Sequence, residues 1–324
     1  MTRFVVARFV QGVVIVFLVA SFTFVLIHIA PGDPFLGLAE QSNVPSDVRE
    51  QLRENFGLDR PLAEQYIRYL GNIARGDFGY SFSEHRPVAA AIVERVPNTL
   101  LLAVAGLAIA FGLGIPLGAW QGWRSGSKTD HSLTLASLAI YSLPVFWLGM
   151  MLQLTLGVGL GLFPMGSAVD PIIHAHLGFI ARIWDRLVHL ALPAITLGLA
   201  GAATFARFQR TATLDAIVQD FVRTARGKGL RERTVLFGHT LRAALLPTIT
   251  LFGLAFPILL SGAVLVEVVF SWPGMGRLAV DAISTRDYYV VTGTTIVSAT
   301  MVVVGNLMAD ILYRMADPRT QTIT

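Results

Sequence analysis

The chain has 324 residues, of which 54% are apolar and only 14% charged, with a formal net charge of +4 and no cysteine. A soluble globular chain carries about 25% charged residues, so the composition points away from the cytosol. Without thiols, neither disulfides nor thiolate metal sites enter the argument.

A membrane span needs about 20 mostly uncharged residues, and several runs qualify. The first is Phe9 to Ile29, FVQGVVIVFLVASFTFVLIHI. The preceding MTRFVVAR resembles the positive end of a signal peptide. The apolar run is longer than the roughly 7–15 residues usual there and lacks a small-x-small cleavage site, so it reads as an uncleaved anchor. Residues 31–97 follow as a long polar loop punctuated by Gly76, Gly79 and Pro87. Phe56, Tyr66, Tyr69, Phe78, Tyr80 and Phe82 give it more aromatic surface than disordered segments carry, which predicts a small ordered cap. The second span covers Asn98 to Trp120. A third run, 132 to 162, is too long for one upright helix and too short for two; it predicts a long tilted helix or an interfacial turn around Leu160 to Phe163. Runs at about 187–206, 244–270 and 290–312 bring the expected number of spans to six.

Orientation follows from Lys and Arg in short loops. With the amino terminus inside, Arg3, Arg8, Arg124, Lys128, Arg314, Arg319 and the cluster between Arg207 and Arg242 all face the cytoplasm. The long loop 31–97 is acidic on balance and faces out. Both termini are then cytoplasmic, and the excess positive charge needs no nucleic acid to explain it.

The cationic loop between spans four and five contains VQDFVRTARGKGLRER (218–233). Leu214, Ile217, Val218, Phe221, Val222 and Ala225 recur at helical spacing, with Asp215, Gln219, Arg223 and Arg226 on the opposite face. Gly227 and Gly229 end the pattern where a left-handed backbone is cheap. Such an amphipathic helix can lie in the lipid interface, pack under its own bundle, or dock in a groove on a partner. The periodicity leaves all three open.

Other stretches carry weaker signals. GWRSGSKTD (122–130) looks like a phosphate-binding loop, but Ser127 separates Gly126 from Lys128 and a membrane span stands where a strand should. His28 and His189 fall at outer span ends, and His131 and His239 at inner ends, so no pair meets at mid-membrane depth as haem would require. His174 and His176, one residue apart, do not make a metal site. Gly106, Gly112, Gly114, Gly118, Gly198, Gly201, Ala202 and Ala203 predict close helix packing. Ser142, Gln153, Thr196, Thr204, Ser261 and Asn306 are candidate weak polar linings of a pathway. Glu267, near the outer end of span five, is either cavity-lining or structural, and Asp310 is a snorkelling or helix-contact residue.

Seven blocks decide among these readings: APGDP (30–34), RGDFGYSF (75–82), RPVAAAIVERVPNTL (86–100), SLPVFWLG (142–149), HLALPAITL (189–197), RTARGKGLRERTVLFGHTLRAALLP (223–247) and EVVFSWPGMGRLAVDAISTRDY (267–288). In order and spacing they resemble the permease subunits of type I ABC importers, in the branch that handles dipeptides, oligopeptides and nickel. The resemblance implies an all-α integral membrane protein with six transmembrane helices in a bacterial inner (plasma) membrane. Residues 1–30 would form the anchor helix, 31–97 the extracytoplasmic segment, 98–313 the core with its coupling loop at 207–243, and 314–324 the cytoplasmic tail. The cationic loop is similar to the EAA loop, whose short helix fits a groove on the ATP-hydrolysing subunit; Ile217, Phe221, Val222, Thr224, Ala225 and Gly229 are the residues assigned to that contact. Arg223, Arg226, Lys228, Arg231 and Arg233 would face its acidic rim or simply water. Here Arg223, Thr224 and Ala225 replace the superfamily's Glu-Ala-Ala, and Pro247 falls later than usual. The resemblance also suggests that Glu267 opens a re-entrant hairpin through SWPGMG, with Gly274 and Gly276 making the turn and Arg277 or Arg286 as partner.

As part of such a machine the chain is not itself an enzyme and binds no cofactor; ATP and Mg belong to two partner ATP-binding subunits. A second homologous permease, an extracytoplasmic substrate-binding protein and membrane lipid complete the partners. Substrates of similar permeases include dipeptides, longer peptides, nickel chelates and glutathione, and no substrate-binding residue is assigned. The alternative is an ion-gradient-driven secondary transporter, which requires ionisable groups near mid-membrane that the spans lack; a redox-complex anchor is disfavoured by the histidine depths.

Overall fold

The computed structural model describes residues 2–29, 60–81, 83–245, 247–248 and 263–316. The APGDP block, Phe56, Phe82, Ser261 and the final tail with Arg319 lie outside the described residues, as does the middle of the expected fifth span.

Helix α1 (Thr2–Ile29) is apolar on every side and leaves large side chains exposed, Phe9 at 61% and Phe22 at 64% among them. That is the pattern of a helix whose solvent is lipid. Ser21 Oγ donates to the Phe17 carbonyl at 2.7 Å and also meets the Tyr66 hydroxyl at 2.6 Å, and Thr23 Oγ1 donates to the Val19 carbonyl at 2.8 Å, so each hydroxyl is satisfied without water. Of the expected cap, residues 60–81 and 83–97 are described. They form α2 (Leu62–Ala74), a two-residue antiparallel pairing of β1 (Tyr80–Ser81) with β2 (Arg86–Pro87), and the start of α3 (Val88–Trp123). Helix α2 lies along α1, with the Tyr69 hydroxyl donating to the Ala20 carbonyl at 3.0 Å.

Among the described residues, four helices are long and apolar enough to cross a membrane: Arg3–Ile29, Val88–Trp123, Phe179–Ile217 and Tyr288–Ile311. A fifth crossing is available if α4 (Lys128–Ser142) and α5 (Val145–Leu152, continued as a π-helical turn to Gly159) count together; they are bent by 105°. This corrects the expectation of a long tilted helix. Leu143 adopts an extended conformation (φ −85°, ψ 137°) because a residue before proline is driven out of the helical region, and Pro144 then starts the next helix. The helical path also ends at Leu160, where an interfacial turn was one of the two expectations. The run at 244–270, the fifth expected span, has its interior outside the described residues.

The chain resolves into two compact units, Met1–Asn98 with Gly274–Val304, and Thr99–Pro273 with Gly305–Thr324. The core of the first joins Val88, Ala91 and Ile92 of α3 to Met275, Leu278 and Ala282 of α9 (Met275–Ser284) and to Val290 at the start of α10 (Tyr288–Ala316). Between α6 (Phe179–Ile217), α7 (Asp220–Gly227) and α8 (Glu232–Thr234, continued as a π turn to Thr240), the second unit carries the cationic loop. Its main core gathers Leu102, Leu192, Leu197, Phe205, Phe270 and Trp272. Close packing rests on small residues, as expected at Gly106, Gly114, Gly198 and Gly201; a Cβ added at Gly114 would sit 2.9 Å from the Ala202 carbonyl oxygen. Gly112 is different, for nothing lies within 4 Å of its missing Cβ.

Glu267 is fully buried, and the Thr99 hydroxyl donates to its carboxylate at 2.6 Å. The turn that follows is not made by the glycines. Ser271 takes the left-handed conformation (φ 49°), the Trp272 N–H bonds the Glu267 carbonyl at 2.8 Å and the Ser271 N–H bonds that of Val268 at 3.1 Å. That is a helix C-terminus of the Schellman kind with serine in place of glycine. Gly274 is extended (φ −109°, ψ −177°) and Gly276 helical. Burial of Phe270 and Trp272 on either side offsets the strain. Arg277 reaches Asp281 at 3.6 Å.

Candidate coupling site

The loop that joins α6 to the next membrane segment is built from two short helices at a break the sequence does not advertise. Helix α6 stops at Ile217, Val218 caps it, and Gln219 turns extended (φ −71°, ψ 150°) before α7 begins at Asp220. Asp220 in the first turn and Arg226 in the last complement the helix dipole. The single stripe expected from Leu214 to Ala225 is therefore divided between two helices.

The break decides which residues face where. Val222 is fully buried and Ala225 nearly so, both clustered with Val235 and packed against by the half-buried Trp123. Phe221 stays 42% exposed, and Thr224, whose hydroxyl returns to the Asp220 carbonyl at 2.9 Å, is exposed beside it. Ile217 is half-buried at the end of α6. Val222 and Ala225 thus hold α7 to its own chain. The apolar side chain that α7 leaves outward is Phe221. One face of the helix packs under its own bundle and the other is exposed.

The cations divide likewise. Arg226 stacks over the Trp123 ring at 5.3 Å and reaches Glu232 at 3.2 Å, so it is occupied within the loop. Arg223 is 74% exposed and only loosely paired with Asp220 at 3.9 Å. Lys228, Arg231 and Arg233 are exposed.

Helix α7 ends as its glycines suggested, at one of them. Gly229 has φ +74°, its N–H bonds the Arg226 carbonyl at 2.9 Å, and the Leu230 N–H bonds that of Ala225 at 3.4 Å. Gly227 is simply the last helical residue. No atom lies within 4 Å of the position a Gly229 Cβ would take, so backbone strain alone opposes substitution. Gly229→Ala is expected to destabilise the loop by about 1 kcal/mol, and Gly229→Asn by less, since asparagine tolerates the left-handed region. Hydrogen exchange of the α7 amides in the purified protein checks the order.

Two buried polar clusters tie this loop to the membrane helices, and neither was singled out from the sequence. Asp130, 2% exposed at the start of α4, is gripped by Arg210 of α6 through Nε at 2.8 Å and Nη2 at 2.9 Å, and accepts the Gly126 N–H at 3.0 Å. Ser127 Oγ accepts the Asp130 N–H at 3.2 Å. The GSKTD stretch is thus a helix cap; its Ser-x-x-Asp spacing before an apolar run was the available signal. Gln209, fully buried, donates to the Ala244 carbonyl at 3.3 Å and accepts from Thr248 Oγ1 at 2.6 Å, so α6 is stitched to the helix after the loop. No spacing rule relates Gln209 to Thr248.

Of the candidate pathway residues, Ser142 and Thr196 spend their hydroxyls on the carbonyls one turn back, and the Gln153 amide donates to the Val269 carbonyl at 3.1 Å, while Asn306 is exposed. His174 and His189 both turn to Asp185, at 2.6 and 3.2 Å from its carboxylate oxygens.

Residues 114–322, which contain the whole loop, match the family described as the binding-protein-dependent transport system inner membrane component, and residues 1–103 match its N-terminal counterpart. The chain belongs to this family. Among curated relatives of this inner membrane component, the oligopeptide transport system permease protein AppB of Bacillus subtilis is 42% identical over 322 residues, covering 99% of this chain and all of the relative. The di/tripeptide transport system permease protein DppB of Pseudomonas aeruginosa is 40% identical over 313 residues, 93% of each chain. The dipeptide transport system permease protein DppB of Escherichia coli K12 is 38% identical over 312 residues, 92% of each. The family resemblance read from the seven blocks is the one these matches show: an ABC importer permease of the peptide transport family.

Proposed function

We propose that this permease forms half of the translocation pathway of an ATP-driven importer of peptides. It pairs with a second, similar permease, receives substrate from an extracytoplasmic binding protein, and is driven by two cytoplasmic ATP-binding subunits that hydrolyse ATP with Mg. Its termini and the α7 loop face the cytoplasm, the orientation favoured by Arg3, Arg8, Arg124, Lys128 and the loop cations. The substrate class follows the printed names of relatives about 40% identical, which are oligopeptide, dipeptide and di/tripeptide permeases; nickel is the lesser candidate.

The observation that carries the mechanism is the two-sided α7. Buried Val222 and Ala225 fasten it to Val235 and Trp123, while Phe221 faces outward at 42% exposure. An ATPase groove that takes Phe221 would push a rigid unit. Gln209, Thr248, Asp130 and Arg210 then pass the displacement to α6, α4 and the helix after the loop. Alternating access requires two states that nucleotide and substrate bias differently, and packed helices joined by such pairs shift as bodies.

Vesicles reconstituted with the complete transporter and binding protein test this. Peptide uptake should require ATP and both ATPase subunits and should survive collapse of the ion gradient. Uptake that persists without the ATPases, or that stops when the gradient alone is dissipated, would instead establish a secondary transporter. A nickel chelate taken up in place of peptide would overturn only the substrate assignment.

A further inference from the structure

Within the unit formed by Met1–Asn98 and Gly274–Val304, α1 does not close against α9 and α10 along its whole length. A groove of about 880 Å³ runs between them, within the roughly 300–1,000 Å³ typical of pockets that take a small ligand. Leu18, Phe22 and Leu26 of α1 form one wall, and Ile283, Val291 and Thr295 the other. The lining is almost wholly apolar, and each wall includes a helix long and apolar enough to cross a membrane, α1 and α10, so its natural filling is hydrocarbon.

One end of the groove is polar. Arg286 and Tyr288, at the start of α10, line its mouth. Arg286 is exposed and adopts a left-handed backbone (φ 57°) that a side-chain-bearing residue takes only when its surroundings require it. The requirement comes from the end of α9, where the Arg286 N–H bonds the Ile283 carbonyl at 3.2 Å and the Asp287 N–H that of Ala282 at 2.8 Å. Asp287 is buried and accepts hydrogen bonds from Ser81 Oγ at 2.7 Å, Ser83 N–H at 3.1 Å and Ser83 Oγ at 2.9 Å. With Asp287 turned inward, the Arg286 side chain is delivered to the groove mouth. Its guanidinium has no ion-pair partner among the described residues, since the nearby Asp281 faces Arg277.

We propose that this groove binds one anionic phospholipid, an acyl chain lying between α1 and α10 and the headgroup phosphate on Arg286. Charge complementarity argues for that occupant: a guanidinium with no ion-pair partner among the described residues donates in a planar fork that suits phosphate oxygens. Tyr288 beside it is the amphipathic ring that sits at headgroup depth. An apolar peptide would fill the groove but leave the cation unanswered. The proposal rests on the membrane-spanning fold and not on the transport reading.

The complete transporter, purified from cell membranes and exchanged into nanodiscs of equal parts phosphatidylglycerol and phosphatidylethanolamine, is released for native mass spectrometry. Wild type should retain phosphatidylglycerol in preference to phosphatidylethanolamine. Arg286→Asn keeps a residue that tolerates the left-handed backbone, and should weaken that retention about tenfold, the effect of losing a charged hydrogen bond. Thr295→Trp, at an exposed position, should fill the groove and displace the lipid with Arg286 intact. Equal retention of the two lipids by wild type, or wild-type retention by either variant, overturns the proposal. Because lipid stoichiometry is read rather than uptake, its failure and that of the transport reading are distinguishable.

Discussion

Phe221→Asp is expected to abolish ATP-driven uptake while the protein remains inserted and as stable as wild type. At 42% exposure the new carboxylate stays in water when no partner is bound, and exposed substitutions usually shift stability by no more than about 0.5 kcal/mol. Seated in an ATPase groove, the same change removes an aromatic anchor and buries a charge. Truncations of that kind cost about 2–4 kcal/mol at an interface, or roughly 30- to 1,000-fold in affinity. Val222→Asp separates the two faces of α7. Val222 is fully buried against Val235 and Trp123, so its carboxylate would break the helix from its own chain and lower stability before any partner is involved. Uptake, ATP hydrolysis and thermal unfolding of the two variants should therefore part company. Normal uptake by Phe221→Asp would remove Phe221 as the anchor, and unfolding by it would show that the outward face is structural.

The second large effect concerns Asp130 and Arg210. Removing one partner of a buried ion pair costs about 3–5 kcal/mol, but the two deletions are not equivalent here. Asp130 is 3% exposed at its side chain and Arg210 29%. After Asp130→Ala, the long Arg210 stem can carry its charge toward water. After Arg210→Ala, the carboxylate stays buried with the Gly126 N–H at 3.0 Å and the Thr134 hydroxyl at 3.4 Å as remaining donors. Arg210→Ala should thus be the more damaging, near the upper end of that range, with Asp130→Ala at or below its lower end. Thermal unfolding in detergent measures the order, and equal losses would mean that the pair is solvated in the working protein.

The blocks visible in the sequence mark places where few residues will do. Pro144 forces Leu143 out of the helix wherever the chain runs, yet the size of the resulting bend, 105°, is set by what α4 and α5 pack on. Ser271 shows the reverse case: glycines at 274 and 276 promised the turn, but burial of Phe270 and Trp272 places it on a serine. The candidate site divides in the same way. Phe221 and Gly229 were legible, one as an apolar residue in a polar loop and the other as the residue for which a left-handed backbone costs least. The partnership of Gln209 with Thr248, and of Asp130 with Arg210, was not, because each joins positions far apart in the chain.

By itself the sequence determined that this protein lives in a membrane, where its apolar runs lie, and which transport family it resembles. These follow from hydrocarbon's refusal of charge and of unpaired backbone, a constraint read one residue at a time. The helices Val88–Trp123 and Phe179–Ile217 extend up to about three turns beyond the apolar runs expected at 98–120 and 187–206. Only the tertiary structure decided that α6 breaks at Val218 and Gln219, and that Val222 and Ala225 turn inward while Phe221 turns out. Neither proline nor glycine marks that break. It is fixed by Val235 and Trp123, whose apolar surface is available to α7 only once the helices around it have assembled.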